Sequence, residues 1–298
     1  MAQLAVPKGS RPDGARSGDR VVLKRFLARR GAVAALVVLL LIVLAATVGP
    51  VFWKYTYVEI TPEILAKPSL DHPLGTDAAG HDMLAQVLRG TQRSLAVAAI
   101  VAVVSTAIGT LVGLVAGYLG GITDTILMRT VDLLLMMPLL AILGLAAVRM
   151  GGDKNGWLVV ALAISLLFWT PTARVIRAQV MSLKKREFVE SARLVGASTP
   201  RIFTVHLLPH LVGPIAVVTT TYVAAAIGLE STLSFLGLGV QPPDTSLGLL
   251  MGLGSGFAAT AWWLFYLPGL AVIVIVVCVH VVGEGVQNAF DHSAAKAG

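Results

Sequence analysis

Few side chains in this sequence are equipped for chemistry, and their spacing narrows what they can do. Asp77 and His81 lie four residues apart, the separation at which two side chains on one helix face can share a metal ion. No third ligand accompanies them, and a capped helix start accounts for Asp77 without a metal. Asp132 and Glu230 lie near the ends of apolar runs, where an ionisable group is a functional candidate by default. Two isolated acids at opposite faces do not make the relay that an ion-coupled pump needs. No G-x-x-x-x-G-K-[ST] is present to cradle nucleotide phosphates, and no H-E-x-x-H, G-x-S-x-G or Cys/His cluster occurs. The single cysteine, Cys278, sits in an apolar run, which argues against a disulfide framework or a thiolate metal site. These absences point away from an enzyme and from a cofactor held in this chain. Polar chemistry is concentrated instead in residues 187–210, where Glu187, Glu190, Arg193, Arg201, His206 and His210 gather around Gly196, Pro200 and Pro209.

The elements that position this segment follow from composition. Apolar residues make up 56% of the 298 residues, charged residues 13%, and the mean hydropathy is +0.82, whereas a soluble domain carries about 25% charged residues. A spanning helix needs about 20 apolar residues. Six runs meet or approach that length: 31–53, 94–123, 130–148, 154–174, 211–229 and 262–283. The expected fold is therefore an all-α membrane protein of six spans. Lys and Arg accumulate on the cytoplasmic side of membrane proteins. With the N-terminus inside, 17 of the 23 Lys and Arg fall on cytoplasmic segments and 6 on external ones, so both termini are expected in the cytoplasm. The net charge of +7 then reflects topology and not affinity for nucleic acid. Residues 1–30 read as a disordered basic cytoplasmic tail, and residues 31–298 as the membrane domain.

Within the external loop 54–93, Asp77 is expected to cap a short helix beginning at Ala78. Met83, Leu84, Val87 and Leu88 share one face of it, and it carries His81 and Asp82 along the outer membrane surface. Gly109, Gly113 and Gly117 recur at intervals of four, preceded by Ala98 and Ala102, a smooth stripe against which another helix can pack closely. Pro138 and Pro171 are expected to kink the third and fourth spans.

The polar segment lies between the fourth and fifth spans. A helix is expected up to Val195, with Phe188, Ala192 and Val195 on one face, and Gly196 is placed to end it in the left-handed conformation. Thr199 offers an N-cap and Pro200 a first helical residue. A second short helix runs through Ile202, Phe203, Val205 and His206 until Pro209 ends it. A segment longer than about 12–15 residues with its own helix starts and stops is functional more often than it is a mere connection.

Three blocks carry a family resemblance. Glu190-Ser191-Ala192, Gly196-Ala197, Ile202, His206 and Pro209 resemble the EAA loop of ABC importer permeases, with Ser191 for the middle alanine. HPLGTDAAGHDML at 72–84 resembles the HPLGTDxxGRDxL block of dipeptide/oligopeptide permeases, with His81 where arginine is usual. LESTLSFLGLGVQPPDTSLG at 229–248 is similar to LSFLGLGVQPPxPSWG, with Leu247 for tryptophan. Together they resemble the second, C-type permease subunit of that family.

The resemblance implies a role for the polar segment, bounded at 184–210. Glu187, Glu190, Ser191, Ala192, Arg193, Gly196, Ala197, Ile202, His206 and Pro209 would form a coupling surface for a separate ATPase, where ATP and Mg are bound. It further implies an inner-membrane, multi-pass subunit paired with a B-type permease, two ATPase subunits or one fused ATPase, and an extracytoplasmic peptide-binding protein on loops 54–93 and 238–261. Glu230, with Ser234 one turn on, is the expected wall of a peptide pathway. Two rivals stay open. Nickel or another small solute is the first, since close relatives share these motifs. A secondary transporter is the second, disfavoured by the scarcity of intramembrane charge.

Overall fold

The structure, a computed structural model, describes residues 14–138, 141–145 and 156–294. Its elements are α1 (Gly14–Ala28), α2 (Arg30–Phe52), α3 (Met83–Leu119), α4 (Gly121–Met136), α5 (Gly156–Leu183), α6 (Glu187–Leu194), α7 (Thr199–Arg201), a π-helical segment (Ile202–Leu207), α8 (Leu208–Phe235), α9 (Leu247–Gly254) and α10 (Trp263–Ala294). Among the described residues the only β-pairings are isolated bridges, Ile60 to His81 and Thr76 to Asp82.

Five helical stretches are long and apolar enough to cross a membrane: Arg30–Phe52, Met83–Leu119, Gly156–Leu183, Thr199–Phe235 and Trp263–Phe290. The expected third span differs. Its first part falls in α4, which is only 16 residues long. Met137 takes φ −74°, ψ 134°, the extended backbone imposed on a residue that precedes proline. Pro138 therefore follows the end of α4, and helical residues resume at 141–145. Residues 146–155 lie outside the described residues. Residues 14–28, expected as disordered tail, form α1, because Val22 and Phe26 find an apolar seat on Ala289 and Val286 of α10 and Ala32 of α2.

The core joins α3, α5, α8 and α10 through Val97, Val101, Ile164, Ile227, Leu233 and Ile275. Its closest seam is the glycine stripe. A Cβ on Gly109 would stand 2.4 Å from Thr172 Cβ, one on Gly113 2.7 Å from Ala173 O, and one on Gly117 2.8 Å from Arg177 O. Side chains at these positions would push α3 off α5, so hydrogen at the Cα is what lets the backbones meet. Around the seam, Thr172 Oγ1 donates to Tyr222 Oη at 2.8 Å and Ser105 Oγ donates to Ser165 O at 3.2 Å. Arg177 grips both oxygens of Asp124, and Arg174 pairs with Asp132. The partner of Asp132 thus comes from α5, not from neighbouring Arg129. By contrast α2 packs on the bundle along a narrow strip, with Val37, Leu40, Leu41 and Leu44 exposed.

The sequence 238–261, expected as an outer loop, contains α9. Ser246 caps it, accepting from Leu249 N at 3.2 Å, and Leu247, Leu249 and Leu250 are buried. Too short to cross, it folds back beside α8 and α10.

Candidate functional site

The polar segment forms a rigid elbow at the end of the bundle where α5 stops. Glu187 and Glu190 occupy the first turn of α6, where negative charge suits the positive end of the helix dipole. Val189 and Ala192 are buried, Val189 within a cluster that includes Ile176 and Val180 of α5, Ile202 and Leu207 of the π segment, and Leu211 of α8. The helix ends in a Schellman motif. Gly196 takes φ 78°, its N–H donates to Arg193 O at 2.9 Å, and Ala197 N donates to Ala192 O at 3.0 Å.

The buried face is therefore carried by Val189 and Ala192, with Phe188 half-buried. Val195, expected on that face, is 83% exposed beside Leu194 at 89%, because the left-handed turn at Gly196 swings the chain away. Glu187, Glu190 and Ser191 are exposed as well. Arg193 points back to the bundle, donating from Nε to Tyr118 Oη at 3.0 Å with its guanidinium 4.7 Å from that ring.

The second half of the elbow differs from expectation. The N-cap is Ser198, and Pro200 follows within the first turn. Pro209 does not end a helix. The π segment joins α7 to α8 without a break, so that Thr199–Phe235 is one helical body of 37 residues. Leu208 N donates to Phe203 O five residues back. Pro209 follows directly on this π turn, where the i→i−4 ladder is already interrupted. Ile202 is buried, His206 half-buried and Pro209 exposed. His210 stacks on Phe188 with centroids 4.7 Å apart, and His210 Nδ1–H donates to His206 O at 2.9 Å. Between the two halves lies a cleft of about 760 Å³, floored by Ala192, Ala197 and His206 and edged by Ser191, Ser198 and Arg201.

At the opposite end, Glu230 is fully buried. Its Oε2 accepts from Ser94 Oγ of α3 and its Oε1 from Ser234 Oγ, each at 2.7 Å. Ser234 Oγ in turn accepts from Val240 N at 3.0 Å, and Ser94 Oγ from Leu247 N at 3.4 Å. Ser246 also bonds to the carboxylate. The expected pathway wall is, in this conformation, an internal post that ties α3, α8 and the approach to α9 together. Neither Glu230 nor Ser234 faces an open channel, because three serine hydroxyls close around the acid and Ser234 is buried with it.

The outer loop holds the remaining expectations. The helix predicted from Asp77 begins instead at Met83 and runs straight into the second span as α3. Asp82 is its N-cap, accepting from Ala85 N at 2.8 Å. Asp77 closes a turn, accepting from Ala79 N and His81 N at 2.8 Å each, and its other oxygen lies 2.9 Å from His81 Nδ1. A separate surface helix is thus absent here. Among the described residues no three His, Cys, Asp or Glu side chains converge as a metal group would require.

Three features of this end escaped the sequence reading. Asp82 is buried and shared by Trp53 Nε1 at 2.9 Å and His72 Nδ1 at 2.8 Å. Tyr55 stacks on His72 with centroids 4.7 Å apart. Arg89 and Arg93 both bind Asp244 while lying over Tyr57 and Trp157. The HPLGTD block gave a local signal for the first two, but nothing local pairs Arg89 with an acid 155 residues away.

A bundle of spanning helices, a polar helical elbow at one end and an internally braced loop platform at the other are the parts of a transporter's membrane component. The family described as "Binding-protein-dependent transport system inner membrane component" matches residues 109–296, and "N-terminal TM domain of oligopeptide transport permease C" matches residues 20–68. The chain belongs to this family, as a permease of its oligopeptide-transport branch. It is 39% identical over 272 residues to the oligopeptide transport system permease protein OppC of Mycobacterium tuberculosis (strain ATCC 25618 / H37Rv), covering 91% of this chain and 93% of that one. It is 37% identical over 271 residues to OppC of Escherichia coli (strain K12), covering 90% and 89%. A putative peptide transport system permease protein of Brucella suis is 34% identical over 296 residues, covering 98% of each. Among solved structures, an inward-facing form of the MetNI methionine ABC transporter superposes with a TM-score of 0.57 at 17% identity, over 70% of this chain and 97% of that one. That likeness concerns the fold.

Proposed function

We propose that this chain is one of two permeases in an ATP-driven importer of short peptides. It pairs with a B-type permease, and the elbow of α6, α7 and the π segment is the surface on which an ATPase subunit acts. The elbow itself carries the reading. Leu194 and Val195 are almost fully exposed beside Glu187, Glu190 and Ser191, yet Val189 and Ile202 fix the same turn to the bundle. Exposed apolar side chains on a braced turn are the arrangement of a surface that a partner covers, and a rigid mount lets displacement pass to α5 and α8. In this role Glu190 makes the polar contact, Leu194 and Val195 bury against the ATPase, and Gly196 sets the angle between the halves. ATP and Mg belong to the ATPase subunit. The binding protein that delivers peptide docks on the loop platform of residues 53–82.

The test is recovery of partners in mild detergent from the native membrane, read by mass spectrometry. The unaltered chain is expected to bring a second permease and an ATPase. Glu190→Lys and Leu194→Asp are each expected to lose the ATPase selectively and keep the second permease. Retention of the ATPase by both variants would overturn the assignment of the elbow.

A further inference from the structure

Helix α1 is amphipathic beyond what its protein contacts use. Val22 and Phe26 face α10 and α2. Leu23 and Leu27 continue the same apolar arc but are 58% and 55% exposed, and no described element covers them. Lys24, Arg25, Arg29 and Arg30 border this arc, and among the described residues none of the four enters an ion pair. Arg25 Nη1 is buried without a hydrogen-bond partner, so Lys24, Arg29 and Arg30 are the exposed cations of this border. Arg29 reaches over a cleft of about 330 Å³ between the starts of α2 and the end of α10, whose one acid is Glu284. Glu284 already faces His280 and leaves the patch strongly positive.

The geometry points to α1 as a lipid-binding helix that seats an anionic phospholipid, acyl chains against Leu23 and Leu27 and headgroup phosphate against Lys24, Arg29 and Arg30. The choice of lipid over protein rests on continuity. Only a break at Arg29 separates α1 from α2, and α2 shows Val37, Val38, Leu41 and Leu44 to the outside. The apolar arc of α1 is thus in line with a surface whose surroundings are hydrocarbon. A helix with an apolar arc, a basic border and a span at its end lies in the interface plane, and each basic residue at an anionic surface favours it by roughly fivefold. Guanidinium groups add paired donors that match phosphate oxygens.

The test uses the full chain with Cys278→Ala and Leu27→Cys, the latter carrying an environment-sensitive fluorophore, in nanodiscs. Nanodiscs contain either brominated phosphatidylglycerol in unbrominated phosphatidylcholine or brominated phosphatidylcholine in unbrominated phosphatidylglycerol, at the same brominated fraction. The expected result is quenching in both, at least about fivefold more effective per brominated lipid for phosphatidylglycerol. Lys24→Gln with Arg29→Gln and Arg30→Gln is expected to abolish the preference while quenching persists. Absence of quenching would mean that protein or water covers the arc and would overturn the proposal. Equal quenching by the two lipids, or a preference that survives the triple substitution, would overturn the headgroup assignment. A cysteine at Leu41 on α2, expected to be quenched without preference, controls for folding.

Discussion

At the scale of single residues, Glu230 and Asp82 are internal fasteners. Glu230 is held on both oxygens by serines from two helices, and Asp82 serves at once as helix cap, acceptor for Trp53 and partner of His72. Each such bond contributes about 1 kcal/mol, and stranding its buried partner costs about 1–3 kcal/mol more. Glu230→Leu is therefore expected to destabilise the chain by about 3 kcal/mol or more, read as a lowered melting temperature in detergent. Glu230→Gln keeps the shape and still bonds the serines, and is expected to cost less than half as much. Equal losses for the two would show that the hydrogen bonds are not what the carboxylate supplies. Asp82→Ala removes a cap worth about 1 kcal/mol and leaves two buried donors unmatched. Its loss is expected to exceed that of Asp82→Asn, which preserves an acceptor at the cap.

At the scale of elements, two glycine arguments have opposite physical content. At Gly113 the φ angle is ordinary and space is lacking. At Gly196 space is open and the backbone is left-handed. Gly113→Val is expected to separate α3 from α5 and lower stability by about 1–3 kcal/mol, measured by thermal denaturation. Gly196→Val meets nothing, and is expected to cost about 1–2 kcal/mol of backbone strain and to weaken ATPase capture by re-aiming Leu194. Both positions were legible in the sequence, the first from its spacing of four and the second from its place after an amphipathic turn. The failures were also physical. Pro209 reads as a stop, but it directly follows the π segment, where the i→i−4 ladder is already interrupted, so the helix continues past it. Asp77 and Asp82 are equally good caps by residue type. Only the loop fold, in which Asp77 spends its oxygens on Ala79 and His81, leaves Asp82 to cap α3. The partners of Glu230 and Asp244 come from α3, 136 and 155 residues away, and no local pattern announces such pairs.

At the scale of the whole molecule, the elbow and the buried acid stand at opposite ends of one helical body, Thr199–Phe235. At about 1.5 Å per residue that body is about 55 Å long, enough to join one face of a membrane to the other. Insertion of three glycines between Leu207 and Leu208 is expected to leave ATPase recovery intact and to abolish peptide uptake in vesicles reconstituted with all subunits. Uptake that survives the insertion would mean that the helix's continuity plays no part in coupling.

The π segment at Ile202–Leu207 gives that body a further property. A turn closed five residues back holds one residue more than an α turn, and each α-helical residue accounts for about 100° of rotation. Converting this turn to the α form would rotate the elbow by about that angle against α8. The helix therefore contains a register slip, and a push on α6 and α7 has a route to become torque. What arrives at the serine cage around Glu230 would then be a twist as well as a displacement.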